Sequence, residues 1–355
     1  MVIIVQKKIL MNNMKKVLIT GVTGQDGSYM AEYLLKFSEY EVYGMIRRSS
    51  TNNYKNIEHL INKPRFKIVL GDLSDSQSIE NLVREIQPDY FINLAAQSFV
   101  AASWEIPEQT FDVDAVGVIR CLESIRKHAP KCRFYNAGSS EELGNVDYSP
   151  QDEKHPLKPR SPYGAAKAAS RHIVKVYRES YNLYAIQGLL YNHESPRRGE
   201  EFVTKKITKN IARIKKAIDY GYEFEPLELG NIDAKRDWSH AQDFVKGIWL
   251  MLNQDEPNEF ILSSGETHTV KEFIEKAFNI VGIQGKWIGE GINECFYLEN
   301  ELIKLVSINP KFYRPAEIDL LLGDSKKARI KLNWKPEISF EDLIKEMVYF
   351  DLQHV

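Results

Sequence analysis

Tyr163 and Lys167 stand four residues apart at the start of a long amphipathic stretch, so on a helix they share one face. An ammonium held beside a phenol lowers the cost of ionising it, and the resulting phenolate suits proton removal from a sugar hydroxyl. The pair follows Arg160-Ser161-Pro162 and is preceded by Ser139-Ser140-Glu141. The hydroxyl of Ser139 can share a substrate hydroxyl with Tyr163, which leaves Glu141 as a carboxylate for proton chemistry elsewhere on the sugar. Ser140 and Glu142 read as a turn hydroxyl and an exposed charge.

A second constellation lies near the amino end. Gly21, Gly24 and Gly27 fall at GxxGxxG spacing within Gly21-Val22-Thr23-Gly24-Gln25-Asp26-Gly27, between an apolar β-branched run and an amphipathic stretch. In that setting the first glycine allows a tight turn and the second lets backbone approach a pyrophosphate. The third lets helix and strand pack closely while the helix N-terminus faces the phosphates. The second strand ends in Arg47-Arg48-Ser49-Ser50, where a NAD site places an acid. Two guanidinium forks and two hydroxyls suit a 2′-phosphate instead, so NADP is the expected cofactor. Asp72-Leu73 and Asn93-Leu94-Ala95-Ala96-Gln97, with Ser98 next, follow the third and fourth strands, where adenine and ribose contacts belong.

The elements that must hold these groups alternate. Strands are predicted at 17–20, 41–46, 66–70, 90–94, 133–136 and 184–190, with helical stretches after the glycines and at 76–86, 113–128 and 163–181. That rhythm implies an α/β protein with a Rossmann-type, doubly wound parallel sheet and right-handed crossovers. After Asn192 it breaks into a basic, turn-rich stretch and a helical segment at 204–218. A helix at 243–252 and a strand at 260–263 return to the large domain, and a helix at 270–281 leaves it again. The expectation is a cofactor domain of 14–192 plus about 229–264, and a smaller, discontinuous α/β substrate-binding cap of about 193–228 plus 265–350. Residues 1–13 read as a tail.

The 47 Lys and Arg against 49 Asp and Glu leave a formal charge of -2, which removes bulk attraction to nucleic acid or an anionic membrane. Three cysteines, Cys121, Cys132 and Cys295, form no CxxC pair, too few and too scattered for a zinc site or a disulfide framework. They point to a reducing, cytoplasmic setting. The apolar residues Met1 to Val5 precede Gln6-Lys7-Lys8, the reverse of a signal peptide's order. No apolar run reaches the ~20 residues that cross a bilayer.

The combination of GxxGxxG, YxxxK and Ser-Ser-Glu resembles the extended short-chain dehydrogenase/reductase family. Within it, the chain from Lys15 onward is similar to GDP-mannose 4,6-dehydratases. The strings that carry this are GVTGQDGSY (21–29), RRSS (47–50), NHESPRRG (192–199), FVTKKIT (202–208), GNIDAKRDW (230–238), GETH (265–268) and RPAEIDLLLGD (314–324). The resemblance implies an internal redox cycle on a GDP-sugar. Tyr163, helped by Ser139, takes the proton of the 4-hydroxyl as hydride leaves C4. Glu141 then removes the C5 hydrogen and helps water leave from C6, and hydride returns to C6. The family pattern puts His193 and Arg198 near the cofactor, and Asn192, Val203, Lys206, Arg236, Arg314 and Glu317 around the GDP. It implies a homotetramer or homodimer with the region of Arg47 to Ser50 at a subunit contact. The enzymatic alternative is an epimerase or reductase on the same fold. An epimerase does not need the carboxylate at Glu141, and a reductase would consume NADPH.

Four departures from the family pattern surround the sugar end. Ser139 stands where threonine is usual, Gly138 where serine is, and Lys167-Ala168-Ala169-Ser170-Arg171-His172 replaces an aromatic run. An aromatic is also replaced around Gln109. Smaller neighbours imply a bulkier manno-series sugar, such as a GDP-manno-heptose.

Overall fold

The computed structural model describes residues 14–51, 53–299, 301–313, 316, 318 and 320–355. Residues 1–13, Arg314 and Glu317 lie outside the described residues.

The β-branched run after Lys15 forms β1 (Lys16–Thr20), and the glycine turn leads into α1 (Gln25–Phe37). There follow β2 (Glu41–Ile46), β3 (Phe66–Leu70), α2 (Ser76–Ile86), β4 (Tyr90–Asn93), α3 (Pro107–Phe111), α4 (Gly117–His128), β5 (Arg133–Ala137), α5 (Pro162–Tyr181) and β6 (Ala185–Leu190). Beyond β6 come β7 (Asn192–Glu194), α6 (Val203–Tyr220), β8 (Leu227–Leu229), β9 (Lys235–Arg236), β10 (Trp238–His240), α7 (Ala241–Leu252) and β11 (Ile261–Leu262). The chain ends with β12 (His268–Thr269), α8 (Val270–Ile280), β13 (Gly285–Ile288), β14 (Cys295–Leu298), β15 (Lys304–Ile308), α9 (Lys326–Lys331) and α10 (Phe340–His354).

Seven strands pair in the order β11-β6-β5-β4-β1-β2-β3, all in parallel. Every residue of β4 and β6 is buried, as a parallel sheet covered on both faces requires. On one face Met30 and Leu34 of α1 pack with Phe244 and Ile248 of α7, and on the other Ile79, Leu122 and Val174 join α2, α4 and α5. The strand order reverses at β1, beside β4, so the glycine turn opens where a doubly wound sheet binds its ligands. A second apolar cluster holds Ile207 and Ile211 of α6, Phe273 and Phe278 of α8, and Leu343 and Met347 of α10. It packs with the four-stranded sheet β13-β14-β15-β8. Ala328, Leu332 and Trp334 return to the first cluster.

Two local features place the site. Ser161 caps α5, its hydroxyl accepting from the Gly164 N–H at 3.0 Å, and Pro162 takes the first helical position, so Tyr163 and Lys167 fall on the first two turns. The helix predicted at 113–128 is regular only from Gly117, because Asp112–Val116 form a π-turn. That turn buries Asp114, whose Oδ1 accepts from the Gln97 N–H at 2.8 Å.

Candidate active site

A cleft of ≈ 980 Å³ runs from the glycine turn, past the carboxyl ends of β4 and β5, to α6 and β9. Its two ends are built differently.

At the nucleotide end the fit is a matter of backbone. A Cβ on Gly27 would lie 2.3 Å from the Gly21 carbonyl oxygen, and one on Gly21, where φ is +67°, would lie 2.8 Å from the Ala95 nitrogen. Only glycine permits these approaches. Gly24 begins α1 without a side-chain cap, which leaves the first N–H groups of the helix facing the cleft for phosphate oxygens. Thr20 locks the turn to its neighbour: its Oγ1 accepts from the N–H groups of Leu94 and Ala95 at 3.1 and 3.0 Å and donates to Asn93 Oδ1 at 2.6 Å. Asn56 adds a bond from Nδ2 to the Thr23 carbonyl at 2.9 Å. These residues fit a dinucleotide.

Of the expected cofactor residues, Gly21, Thr23, Gly24, Gln25, Asp26, Gly27, Arg47, Asp72, Leu73, Leu94 to Ser98, His193 and Arg198 all line the cleft. Arg48 and Ser49 do not; both are exposed, and Ser49 pairs with Thr51. Gln25 and Asp26 are engaged with β7. Gln25 donates to the His193 carbonyl at 3.0 Å, and Asp26 Oδ2 meets His193 Nε2 at 2.8 Å. His193 Nδ1 faces the Tyr191 carbonyl at 2.7 Å, so both ring nitrogens donate and the imidazolium is favoured. Burial would lower the His193 pKa, but Asp26 outweighs it and raises it; burial would raise Asp26, but His193 holds it down.

At the far end Asn192, Val203, Lys206 and Arg236 line the cleft. Lys206 Nζ sits 3.6 Å from the centroid of the Phe312 ring, and burial lowers its pKa. Arg197 turns away to Glu32 and the Tyr29 ring. Lys205 is buried against Asp351 and the Pro196 carbonyl, which makes it a brace between α6 and α10.

Between these ends sit Ser139, Glu141, Tyr163 and Lys167, all on the cleft wall. Ser139 caps a short 3₁₀ turn, accepting from the Glu141 N–H at 3.2 Å, and its hydroxyl acts on the Tyr163 phenol to lower its pKa. Lys167 donates to the Ala137 carbonyl at 3.0 Å and lies 5.7 Å from the Tyr163 ring centroid. The largest influences on the phenol come from elsewhere. Burial, then the charges of Asp114, Glu141 and Glu142, push Tyr163 upward, and Ser139 opposes them.

One sequence reading is corrected here: Glu142, read as an exposed charge, is 0% exposed, while Ser140 is a buried turn hydroxyl. A separate observation concerns the neighbourhood of Gly138. A Cβ on Gly138 would meet Glu142 Oε1 at 2.5 Å and the Gly188 carbonyl oxygen at 2.5 Å, so the space beside Gly138 is filled by the protein. Arg171 is likewise committed, to Glu259 and the Glu153 carbonyl. Gly138, Ser139 and Gln109 among the departures line the cleft together with Lys167, whereas residues 168–172 do not.

Sequence reasoning passed over Trp104, Glu105, Phe202 and Tyr313, which also line the cleft. No spacing signal marks them. They reach it from loops and short helical turns whose path the sheet decides.

The same architecture occurs in solved structures. Over 95% of this chain and 96% of that one, a dTDP-glucose 4,6-dehydratase from Bacillus anthracis in complex with NAD superposes with a TM-score of 0.76 at 20% identity. RMD from Pseudomonas aeruginosa complexed with NADPH gives 0.75 at 21% identity over 96% and 100%. Fold and cleft thus define a Rossmann-type, doubly wound α/β protein with the architecture of these neighbours. Within that class, residues 18–347 match the profile of the GDP-mannose 4,6 dehydratase family, and the chain belongs to that family. GDP-mannose 4,6 dehydratase of Drosophila melanogaster is 47% identical over 96% of this chain and 86% of its own length. The Homo sapiens enzyme is 46% identical over 95% and 91%, and that of Yersinia enterocolitica 46% over 96% and 94%.

Proposed function

We propose that the protein dehydrates a GDP-linked manno-configured sugar to its 4-keto-6-deoxy form. The observation that carries this is Glu141 on the same stretch of cleft wall as Tyr163, Ser139 and Lys167, midway between a dinucleotide turn and a group of cationic side chains. An oxidation alone needs no such carboxylate. When bound, the nicotinamide accepts a hydride from C4 and returns one to C6. Tyr163 takes the proton of the 4-hydroxyl, with Ser139 sharing that hydroxyl, and Lys167 orients the ribose beside them. The C5 hydrogen, acidified by the 4-ketone, goes to Glu141, which passes a proton to the departing C6 hydroxyl. Lys206 and Arg236 hold the diphosphate and Asn192 the sugar nucleotide.

The finer parts of the proposal rest on fewer residues. NADP rests on Arg47 at the cleft and the absence of an acid at the end of β2. A GDP-manno-heptose in place of GDP-mannose rests on Gly138, Ser139 and Gln109 at the cleft. The division into a cofactor domain of 14–192 plus about 229–264 and a cap of about 193–228 plus 265–350 is supported by the separate apolar clusters, although Leu229, Ile232 and Trp238 pack in the cap's cluster and α9 packs back on the first. A homotetramer or homodimer is part of the same reading.

Incubation with a panel of GDP-sugars and mass analysis of the products tests it. The expected product is lighter by one water, without net NADPH formation. A product of unchanged mass means an epimerase, and stoichiometric NADPH consumption means a reductase. A larger kcat/KM for GDP-mannose than for GDP-manno-heptose removes the heptose.

A further inference from the structure

Glu142 adjoins two residues of the cleft wall without lining the cleft itself, and it is 0% exposed. Its Oε1 accepts from the Ser139 N–H at 2.8 Å and from Gln187 Nε2 at 2.7 Å. Gln187 also donates to the Lys167 carbonyl at 3.0 Å and accepts from Asn136 Nδ2 at 2.7 Å. Asn136 accepts from Asn93 at 2.8 Å, and Asn93 from Thr20 at 2.6 Å. The carboxylate therefore ends a chain of buried side chains that crosses β6, β5, β4 and β1 beneath the strand ends. Gly138 is part of the same arrangement, since Glu142 Oε1 stands where its side chain would project.

The second oxygen of Glu142 is buried and has no hydrogen-bond partner. A carboxylate left half satisfied in the interior is costly, and a leucine of similar size would avoid that cost. The charges and phenols that act on it and on its neighbours come from two elements and the turn. Lys167, Arg171 and Tyr163 belong to α5, Tyr135 to β5, and Glu141 to the turn itself. Asp114 acts on Tyr163 from the π-turn.

We propose that Glu142 is a positioning residue for the reaction: its buried carboxylate fixes the Ser139-Ser140-Glu141 turn from behind and sets the electrostatic load on Tyr163. Two parts of the site depend on it. Ser139 receives its orientation through the capping box in which Glu142 accepts the Ser139 N–H. Tyr163 experiences the negative charge of Glu142 together with those of Asp114 and Glu141. Burial pushes Glu142 up to about 7, against Arg171, the Ser139 N–H, Gln187 and Lys167, so this load changes across neutral pH. The inference rests on Tyr163 being the base, as proposed above.

The test is the pH dependence of kcat and kcat/KM with GDP-mannose for the full chain carrying Glu142→Gln, beside Glu142→Ala and Tyr163→Phe. Glutamine keeps an acceptor for the Ser139 N–H and removes the charge. The acid limb of kcat/KM should move to lower pH by roughly half a unit or more, because Tyr163 then ionises more easily. In Glu142→Ala the turn loses its brace, and kcat should fall about tenfold or more while KM for GDP-mannose changes by less than about threefold. Partial recovery of kcat in Glu142→Gln relative to Glu142→Ala is part of the expectation. A Glu142→Gln profile superposable on that of the unaltered enzyme overturns the proposal, and so does a Glu142→Ala variant with undiminished kcat. If Glu142→Ala does not fold, the Glu142→Gln profile decides alone. Retained activity in Tyr163→Phe would instead overturn the assignment of the base, leaving the two failures distinguishable.

Discussion

The turn after β1 and the turn after β5 face each other across one cleft and are made from opposite materials. The first is glycine and backbone: its fit depends on the absence of Cβ atoms at Gly21 and Gly27 and on uncapped N–H groups at the start of α1. The second is held by side chains, with Ser139 Oγ accepting from the Glu141 N–H and Glu142 Oε1 from the Ser139 N–H and Gln187 Nε2. A phosphate is recognised by a dense array of backbone donors, so close approach is what counts there. Proton transfer needs groups of chosen acidity, and that turn is stocked with buried carboxyls whose neighbours set their charge.

If this contrast is right, substitutions at the two turns should fail differently. The largest effect belongs to Tyr163→Phe: kcat should fall by about 10²- to 10⁴-fold while the dinucleotide still binds, read by steady-state kinetics and NADPH fluorescence. Glu141→Gln should lose water elimination by about 10²-fold with GDP-sugar binding kept, measured by product mass and by calorimetry. At the other turn Gly27→Ala should act on the fold itself. Its new methyl would lie 2.3 Å from the Gly21 carbonyl, so a loss of about 3 kcal/mol or more is expected in denaturant unfolding. Arg47→Ala should weaken NADP about tenfold and leave NAD unchanged, a comparison of two dissociation constants.

The smallest effect is on stability against pH. Burial raises Asp114 and Asp237 to about 6 and Glu142 to about 7, above their usual 3.8 and 4.5. In that window the folded protein holds more protons than the unfolded chain, so these groups make stability fall as pH rises from about 4.5 to about 7. Glu142→Gln should flatten part of that fall in thermal melts. An unchanged slope would mean that Glu142 does not titrate there.

The two turns also differ in how far the sequence discloses them. Glycine spacing is legible because the constraint is largely local: Gly24 and Gly27 answer to Gly21 and Val22 within one strand-turn-helix unit, and only Gly21 also meets a distant neighbour, Ala95. The parallel sheet was legible for the same reason, from apolar runs at β1 to β6, with β2 and β3 bounded to the residue. Tyr163 and Lys167 were readable as a pair because helical periodicity joins them. Glu142 was not readable, because its burial is decided by Gln187, 45 positions away and on another strand. The surroundings of Tyr163 are only partly legible on the same ground. One nearby ammonium was visible in the sequence, whereas Asp114 reaches the phenol only through the π-turn. Nor does the sequence disclose that the missing side chain of Gly138 leaves room for Glu142.

The claim on which the rest depends is that oxidation, elimination and reduction occur in one cleft without net redox change. The direct measurement is to incubate the protein with GDP-mannose and far less NADP than sugar, then weigh the product and follow NADPH absorbance. Many turnovers to a product lighter by one water, with no NADPH build-up, is the predicted result. Conversion that stops at one turnover per NADP, or a product that keeps its full mass, would contradict the account.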